Sequence, residues 1–233
     1  MAKTLADLSH PILMLVTEPT PSLVDIAVQA TSGGVASGQW RDKSANIDDI
    51  VRFLAPEIIA SVSNRALLVA NLATPSASVI AQSFNPRLDG LHFPEGAASG
   101  DYVVKSSKFA DLDSIVTTQI RCHGPGKLGI TGESVHSVDA AKLAESSGAD
   151  YIVAGTIFAT TSHPDRPGAG LDYLAAVCKA VSIPVIAIGG ITPENTSDCL
   201  KAGAAGVAVL SRIMHAGDPM AAAADYRAAL NAS

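Results

Sequence analysis

Short runs of Val, Ile, Leu and Ala recur along the chain, and almost every one precedes a stretch in which Ala, Leu and charged residues keep helical spacing. The runs fall at 12–17, 35–40, 67–71, 88–93, 128–132, 151–155, 184–188 and 206–210. Apolar runs of this length read as buried strands, and apolar residues three and four apart read as helices. A first helix starts after Ser22 and runs toward Gly33 and Gly34; others are expected at 47–61 (with Pro56 at a kink or an end), 76–83, 112–121, 137–147, 171–180, 194–202 and from about Pro219. Ser137 suits an N-cap, with Asp139 opposing the helix dipole in the first turn, and Pro193 suits a first helical turn. The segment 94–108, rich in Gly, Ser and Ala, reads as a long loop.

Parallel strands joined by helices need both faces of the sheet covered, and eight such alternations without a linker favour closure. The expectation is an α/β fold, a single (β/α)8 TIM barrel, forming one domain over residues 1–233. An open doubly wound sheet would hold fewer repeats in this length, and no Gly-x-Gly-x-x-Gly follows the first run. Hydrophobic residues make up 48% of the chain and aromatics only 4%, which suits layers built from small aliphatic side chains. The net charge of −6, without any Lys/Arg run, argues against nucleic-acid partners. Cys122, Cys178 and Cys199 form no metal-binding spacing and suit reduced thiols. With no apolar h-region at the start and no stretch long enough to span a bilayer, a cytoplasmic protein without membrane contact is expected. A homo-oligomer is compatible with all of this.

Two strand ends carry the sharpest local chemistry. The run 183–191 ends in Gly189 and Gly190 just before a helix start, and the run 207–212 brings Leu210 and Ser211 to the end of the next strand. Exposed amides and a hydroxyl at those positions suit an anionic phosphate, and the loops after the seventh and eighth strands of such barrels often form a phosphate site. The simpler reading is that the glycines serve a tight turn. At the end of the second run, period two puts Gln39, Arg41 and Lys43 on one side, where they suit an anionic ligand, and Trp40 on the other, against a helix.

Those residues, together with Gln39-Trp-Arg-Asp-Lys43, Gly132-Glu-Ser-Val-His-Ser137, Gly148-Ala-Asp-Tyr-Ile152 with Gly155 and Thr160, and Ile188-Gly-Gly-Ile191, resemble the thiamine phosphate synthase/TenI family over nearly the whole chain. The resemblance implies a (β/α)8 barrel and a small phosphorylated thiazole or thiamine phosphate ligand. Synthase members join a pyrimidine pyrophosphate to a thiazole phosphate; TenI-type members include tautomerases that aromatise a thiazole phosphate carboxylate by moving a proton. By position, Gln39, Arg41, Lys43 and Asn71 resemble the group that holds the pyrimidine pyrophosphate. Ser134 and Thr160 resemble further substrate contacts, and Gly189, Gly190, Leu210 and Ser211 resemble the thiazole phosphate grip.

The departures point to the TenI-like branch. Where synthases carry two magnesium-binding aspartates, this chain has Leu72, after Asn71, and Ala97, in the run His92-Phe-Pro-Glu-Gly-Ala97. Neither side chain offers oxygen to a hard cation. His163 replaces a lysine and is a further substrate-contact candidate, in a loop with Asp165 and Arg166. No metal or other cofactor is therefore expected; magnesium enters only if Glu95 or Asp101 serves a divergent synthase. His136, which can take and return a proton at neutral pH, is the candidate catalytic residue of a thiazole tautomerase, with helix capping as its bland alternative. A divergent synthase and a non-catalytic thiamine phosphate-binding protein are the alternatives to that tautomerase. His92 reads as packed or at a rim.

Overall fold

The computed structural model describes residues 11–41, 66–71, 89–96, 129–160 and 167–233, and the backbone alone of 42, 72, 101–105 and 117–121. Eight parallel strands close into a barrel in the order β1-β10-β9-β8-β7-β4-β3-β2. They are β1 (Ile12–Val16), β2 (Ser37–Asp42), β3 (Leu67–Leu72), β4 (Gly90–Phe93), β7 (Ile130–Val135), β8 (Tyr151–Gly155), β9 (Val185–Ile188) and β10 (Gly206–Val209). The remaining two, β5 (Asp101–Lys105) and β6 (Thr117–Arg121), pair antiparallel as a separate ribbon. The described helices are α1 (Leu23–Ser32), α2 (Val138–Ser147), α3 (Gly170–Ala180), α4 (Thr196–Lys201), α5 (Ser211–Met214) and α6 (Pro219–Asn231).

Strand alternation sorts the apolar residues into two layers. Ile12, Met14, Val16, Leu67, Val69, Ile130, Tyr151, Val153, Ile186 and Ala208 fill the inside. Their neighbours Leu13, Leu15, Leu68, Ala70, Ile152, Ala154 and Val207 form an outer layer with helix residues such as Leu23, Leu174, Val177 and Leu230. Trp40 joins the outer layer, as its place in the alternation requires. Each fully buried aliphatic side chain contributes about 1.5–3 kcal/mol. The last helix returns to the start of the barrel: Arg227 Nη1 donates to Pro11 O (2.7 Å) and Nη2 to Gly34 O (2.9 Å). A Cβ on Gly33 would lie 2.2 Å from Met220 O, so that position has room only for glycine.

Several elements differ from the sequence-based expectation. The second strand begins at Ser37 rather than 35, because Gly33, Gly34 and Val35 still close α1, their amides donating to Gln29 O, Thr31 O and Ala30 O. Strand β7 runs on to Val135 beyond the expected 132, carried by its ladder with β8 from Gly132↔Tyr151 to Val135↔Ala154. The segment 94–108 is not one loop, nor is 112–121 a helix throughout: Asp101–Lys105 and Thr117–Arg121 are paired strands. Tyr-Val-Val and Thr-Thr-Gln-Ile are β-branched or aromatic sequences, and that preference prevails over the helical spacing. The expected 194–202 helix divides into a 3-10 turn, Pro193–Asn195, and α4. The helices expected at 47–61 and 76–83 lie outside the described residues.

Candidate functional site

A cavity of about 1040 Å3 opens at the carboxyl ends of the strands and is lined by Gln39, Arg41, Asn71, Glu95, Ser134, His136, Thr160, Gly189, Gly190, Leu210 and Ser211. Eleven positions expected from sequence thus meet in one space. Lys43 and His163 lie outside the described residues. Asp101 is placed only as the first residue of β5.

One wall is polar and cationic. Gln39 is 2% exposed and its Nε2 has no hydrogen-bond partner among the described residues. An unpaired buried donor costs about 1–3 kcal/mol, a cost that a bound acceptor would relieve. Arg41 is half-buried, and its backbone N donates to Thr17 Oγ1 (3.2 Å), tying β2 to the end of β1. Burial lowers the Arg41 pKa from its ordinary value, while Glu18 pulls it up. The guanidinium remains charged, so an anion in the cavity would meet an incompletely compensated cation.

Glu95 and His136 form a pair on the rim. A single oxygen, Oε2 of Glu95, accepts from both the backbone N and Nδ1 of His136, each at 2.6 Å. That leaves Nε2 without a partner among the described residues. Helix capping belongs to the next residue, Ser137, whose Oγ accepts from Ala140 N (3.1 Å). Among the described residues the cavity offers a divalent cation one carboxylate, already shared by two donors, and the amide of Asn71. No group of three His, Cys, Asp or Glu among the described residues could hold a metal. Glu95 and Asn71 are the described groups that would reach a magnesium ion, which is ordinarily held by one or two carboxylates together with a substrate's phosphates.

The opposite wall is the glycine turn. Gly189 and Gly190 have φ of +100° and +65°, and a Cβ on them would meet Thr156 Cγ2 at 2.3 Å and Ala159 O at 2.5 Å. Both glycines thus have a structural reason in the packing of segment 156–159, whose Phe158 N donates to Gly189 O (3.0 Å). The turn is held from behind. Asn195 Oδ1 accepts from Thr192 N (2.8 Å), Asn195 Nδ2 donates to Gly190 O (3.1 Å), and the buried Tyr226 hydroxyl donates to Ile191 O (2.8 Å). Leu210 O accepts from Ile213 N and Met214 N, turning the chain so that Ser211 and Arg212 reach the same space.

Sequence reasoning missed Val16, Thr156, Thr192 and Arg212 as lining residues. Thr156 and Arg212 directly follow positions it had singled out, Gly155 and Ser211. It also left unexplained a buried polar cluster under the cavity floor, where His92 Nε2 lies 2.9 Å from Ser134 Oγ and Nδ1 lies 3.1 Å from the Tyr151 hydroxyl.

The family model described as thiamine monophosphate synthase matches residues 113–213. A thiamine-phosphate synthase from Thermosynechococcus vestitus is 32% identical over 211 residues, which are 90% of this chain but 53% of that protein. The chain thus spans about half the length of that relative. Another, from Chlorobium luteolum, is 34% identical over 223 residues, 95% of this chain and 93% of that one. A solved structure of thiamine phosphate pyrophosphorylase from Pyrococcus furiosus has a TM-score of 0.69 at 24% identity, covering 95% of this chain and 96% of that chain.

Proposed function

Because the chain belongs to the thiamine-phosphate synthase family, we propose that residues 1–233 form one catalytic domain that joins a pyrimidine pyrophosphate to a thiazole phosphate, yielding thiamine phosphate and pyrophosphate. The observation that carries this reading is one continuous cavity with two unlike ends. At about 1040 Å3 it lies at the upper end of the size of small-molecule pockets, about 300–1,000 Å3, with room for two small ligands side by side.

In this reading the thiazole phosphate rests on Gly189, Gly190, Leu210 and Ser211, and the pyrimidine pyrophosphate faces Gln39, Arg41, Asn71 and Ser134. Thr160, with Lys43 and His163, completes the substrate contacts. The bond between the pyrimidine's methylene carbon and the pyrophosphate oxygen breaks, and its electron pair leaves with pyrophosphate. The lone pair of the thiazole nitrogen then forms the new carbon–nitrogen bond. Arg41, Ser134 and Asn71 meet the charge that grows on the leaving oxygen, which is where fixed donors lower a barrier most. Magnesium, if the synthase uses it, would be held by Glu95 or Asp101 and would supply charge to the departing pyrophosphate. The ligands are small phosphorylated molecules, and the reduced-thiol composition suits a cytoplasmic enzyme.

A second reading, a thiazole tautomerase, draws support from the Glu95–His136 pair. A carboxylate bound to Nδ1 fixes the imidazole so that Nε2 is the atom that takes and returns a proton. Incubating the protein with both synthase substrates, with and without magnesium, tests the first reading: thiamine phosphate should accumulate, and its absence under both conditions rejects condensation. The tautomerase reading instead requires that His136→Ala abolish aromatisation of the thiazole phosphate carboxylate with affinity largely kept. Binding of thiamine phosphate without either reaction would leave a non-catalytic binder.

A further inference from the structure

Three adjacent barrel strands place His92, Gly132 and Tyr151 in register, His92 opposite Gly132 and Gly132 opposite Tyr151. All three positions face inward. The middle one has no side chain, and a Cβ there would lie 2.1 Å from Tyr151 Cζ. The missing methyl lets two rings from non-adjacent strands meet across β7, with centroids 5.6 Å apart. His92 and Tyr151 are both 0% exposed, so neither reaches the cavity. Ser134, two residues along β7, does line it, and its Oγ rests 2.9 Å from His92 Nε2.

The direction of the protons follows from counting donors and acceptors. Tyr151 is fully buried, and desolvation holds its hydroxyl far above the ordinary phenol pKa, so it keeps its proton. The acceptor within reach is His92 Nδ1 at 3.1 Å. A buried hydroxyl deprived of an acceptor costs about 1–3 kcal/mol, which selects the tautomer with Nδ1 bare. The proton of the neutral ring is then on Nε2, and Nε2–H donates to Ser134 Oγ. The serine's own hydrogen is left to point elsewhere, into the cavity.

We infer that Tyr151, His92 and Ser134 form a one-way donor relay that presents the Ser134 hydroxyl as a hydrogen-bond donor to an anionic oxygen of the ligand, with His92 and Tyr151 as positioning residues. The inference rests on the reading that a pyrophosphate group lies against Ser134. Polarised from behind, this hydroxyl binds an anion more strongly than an isolated serine would, since each bond in such a chain strengthens the next.

Two measurements on the full chain test it. In 15N-histidine-labelled protein, the His92 signal, assigned by its loss in His92→Gln, should show the proton on Nε2. The Nδ1–H tautomer or an imidazolium would overturn the relay. The second measurement is calorimetric titration with inorganic pyrophosphate. Tyr151→Phe and Ser134→Ala should each weaken binding about tenfold, and the double variant should bind no more weakly than Ser134→Ala alone. His92→Gln, which keeps an N–H toward Ser134, should retain more affinity than His92→Leu. Additive losses, or full affinity in Tyr151→Phe, would refute the relay; a merely structural role predicts additivity. Should wild type not bind pyrophosphate, the tautomer alone decides the relay, and the two-substrate assay decides condensation. The tautomer likewise decides if Tyr151→Phe does not fold.

Discussion

Single side chains divide here into those whose role ends at the ligand and those that also hold the fold. Arg41→Ala removes a half-buried cation from the cavity wall, and the pyrophosphate-bearing substrate should bind about ten- to hundredfold more weakly, read as a change in Kd by calorimetry. Unfolding temperature should hardly move, because burial already works against the charge there. Gly190→Ala is the opposite kind of change. A side chain at φ +65°, 2.5 Å from Ala159 O, should cost about 1–3 kcal/mol in denaturant titration as well as phosphate affinity. Gln39, Arg41, Gly189, Gly190, Leu210 and Ser211 were legible from their residue types at strand ends, whereas Asn71, Ser134 and Thr160 were reached only through the family resemblance. The partner of His136 was not. Glu95 is distant in sequence and was considered only for a metal, and nothing local says that one of its oxygens takes two donors from the residue just after β7.

Elements show where local preference is decisive and where the neighbourhood overrides it. Helix α2 follows its sequence closely, with Ser137 at the N-cap and Gly148 closing the end at φ +96°. Ser137→Ala should cost about 0.5–2 kcal/mol of stability with turnover per folded molecule unchanged, and a loss of turnover would show that the cap also holds His136 in place. Strand β7 is governed by its neighbours. Gly132→Ala would press a methyl into the Tyr151 ring, and we expect a loss of several degrees in Tm together with poorer pyrophosphate binding. The β5–β6 ribbon was misread because β-branched residues at helical spacing satisfy both patterns, and only the partner strand chooses between them.

The molecule as a whole closes eight parallel strands into one barrel, and the recurrence of strand-like runs in the sequence is what made the barrel legible before its registers were known. Length and strand count imply closure, whereas the order of pairing and the inserted ribbon depend on contacts between distant segments. Burial across the barrel also sets its behaviour in alkali. Desolvation raises the Cys178 and Cys199 thiols to about 11 and the Tyr173 and Tyr226 hydroxyls to about 12. Between the unfolded and folded values, the unfolded chain has released protons that the native state still holds, so stability falls as pH rises. Denaturant midpoints should be level up to about pH 9 and drop from there to pH 12; a flat profile would contradict the burial of these groups. One further consequence lies in the way the barrel shuts. Its first strand pairs with its last, Ile12↔Gly206 through Leu15↔Val209, and Arg227 on the final helix clamps Pro11 and Gly34. During synthesis β10 is the last of the barrel strands to leave the ribosome, and Arg227 follows it. The growing chain carries an open sheet edge until β10 has been made, and a chain halted before residue 206 displays that edge to whatever else in the cell can add a strand.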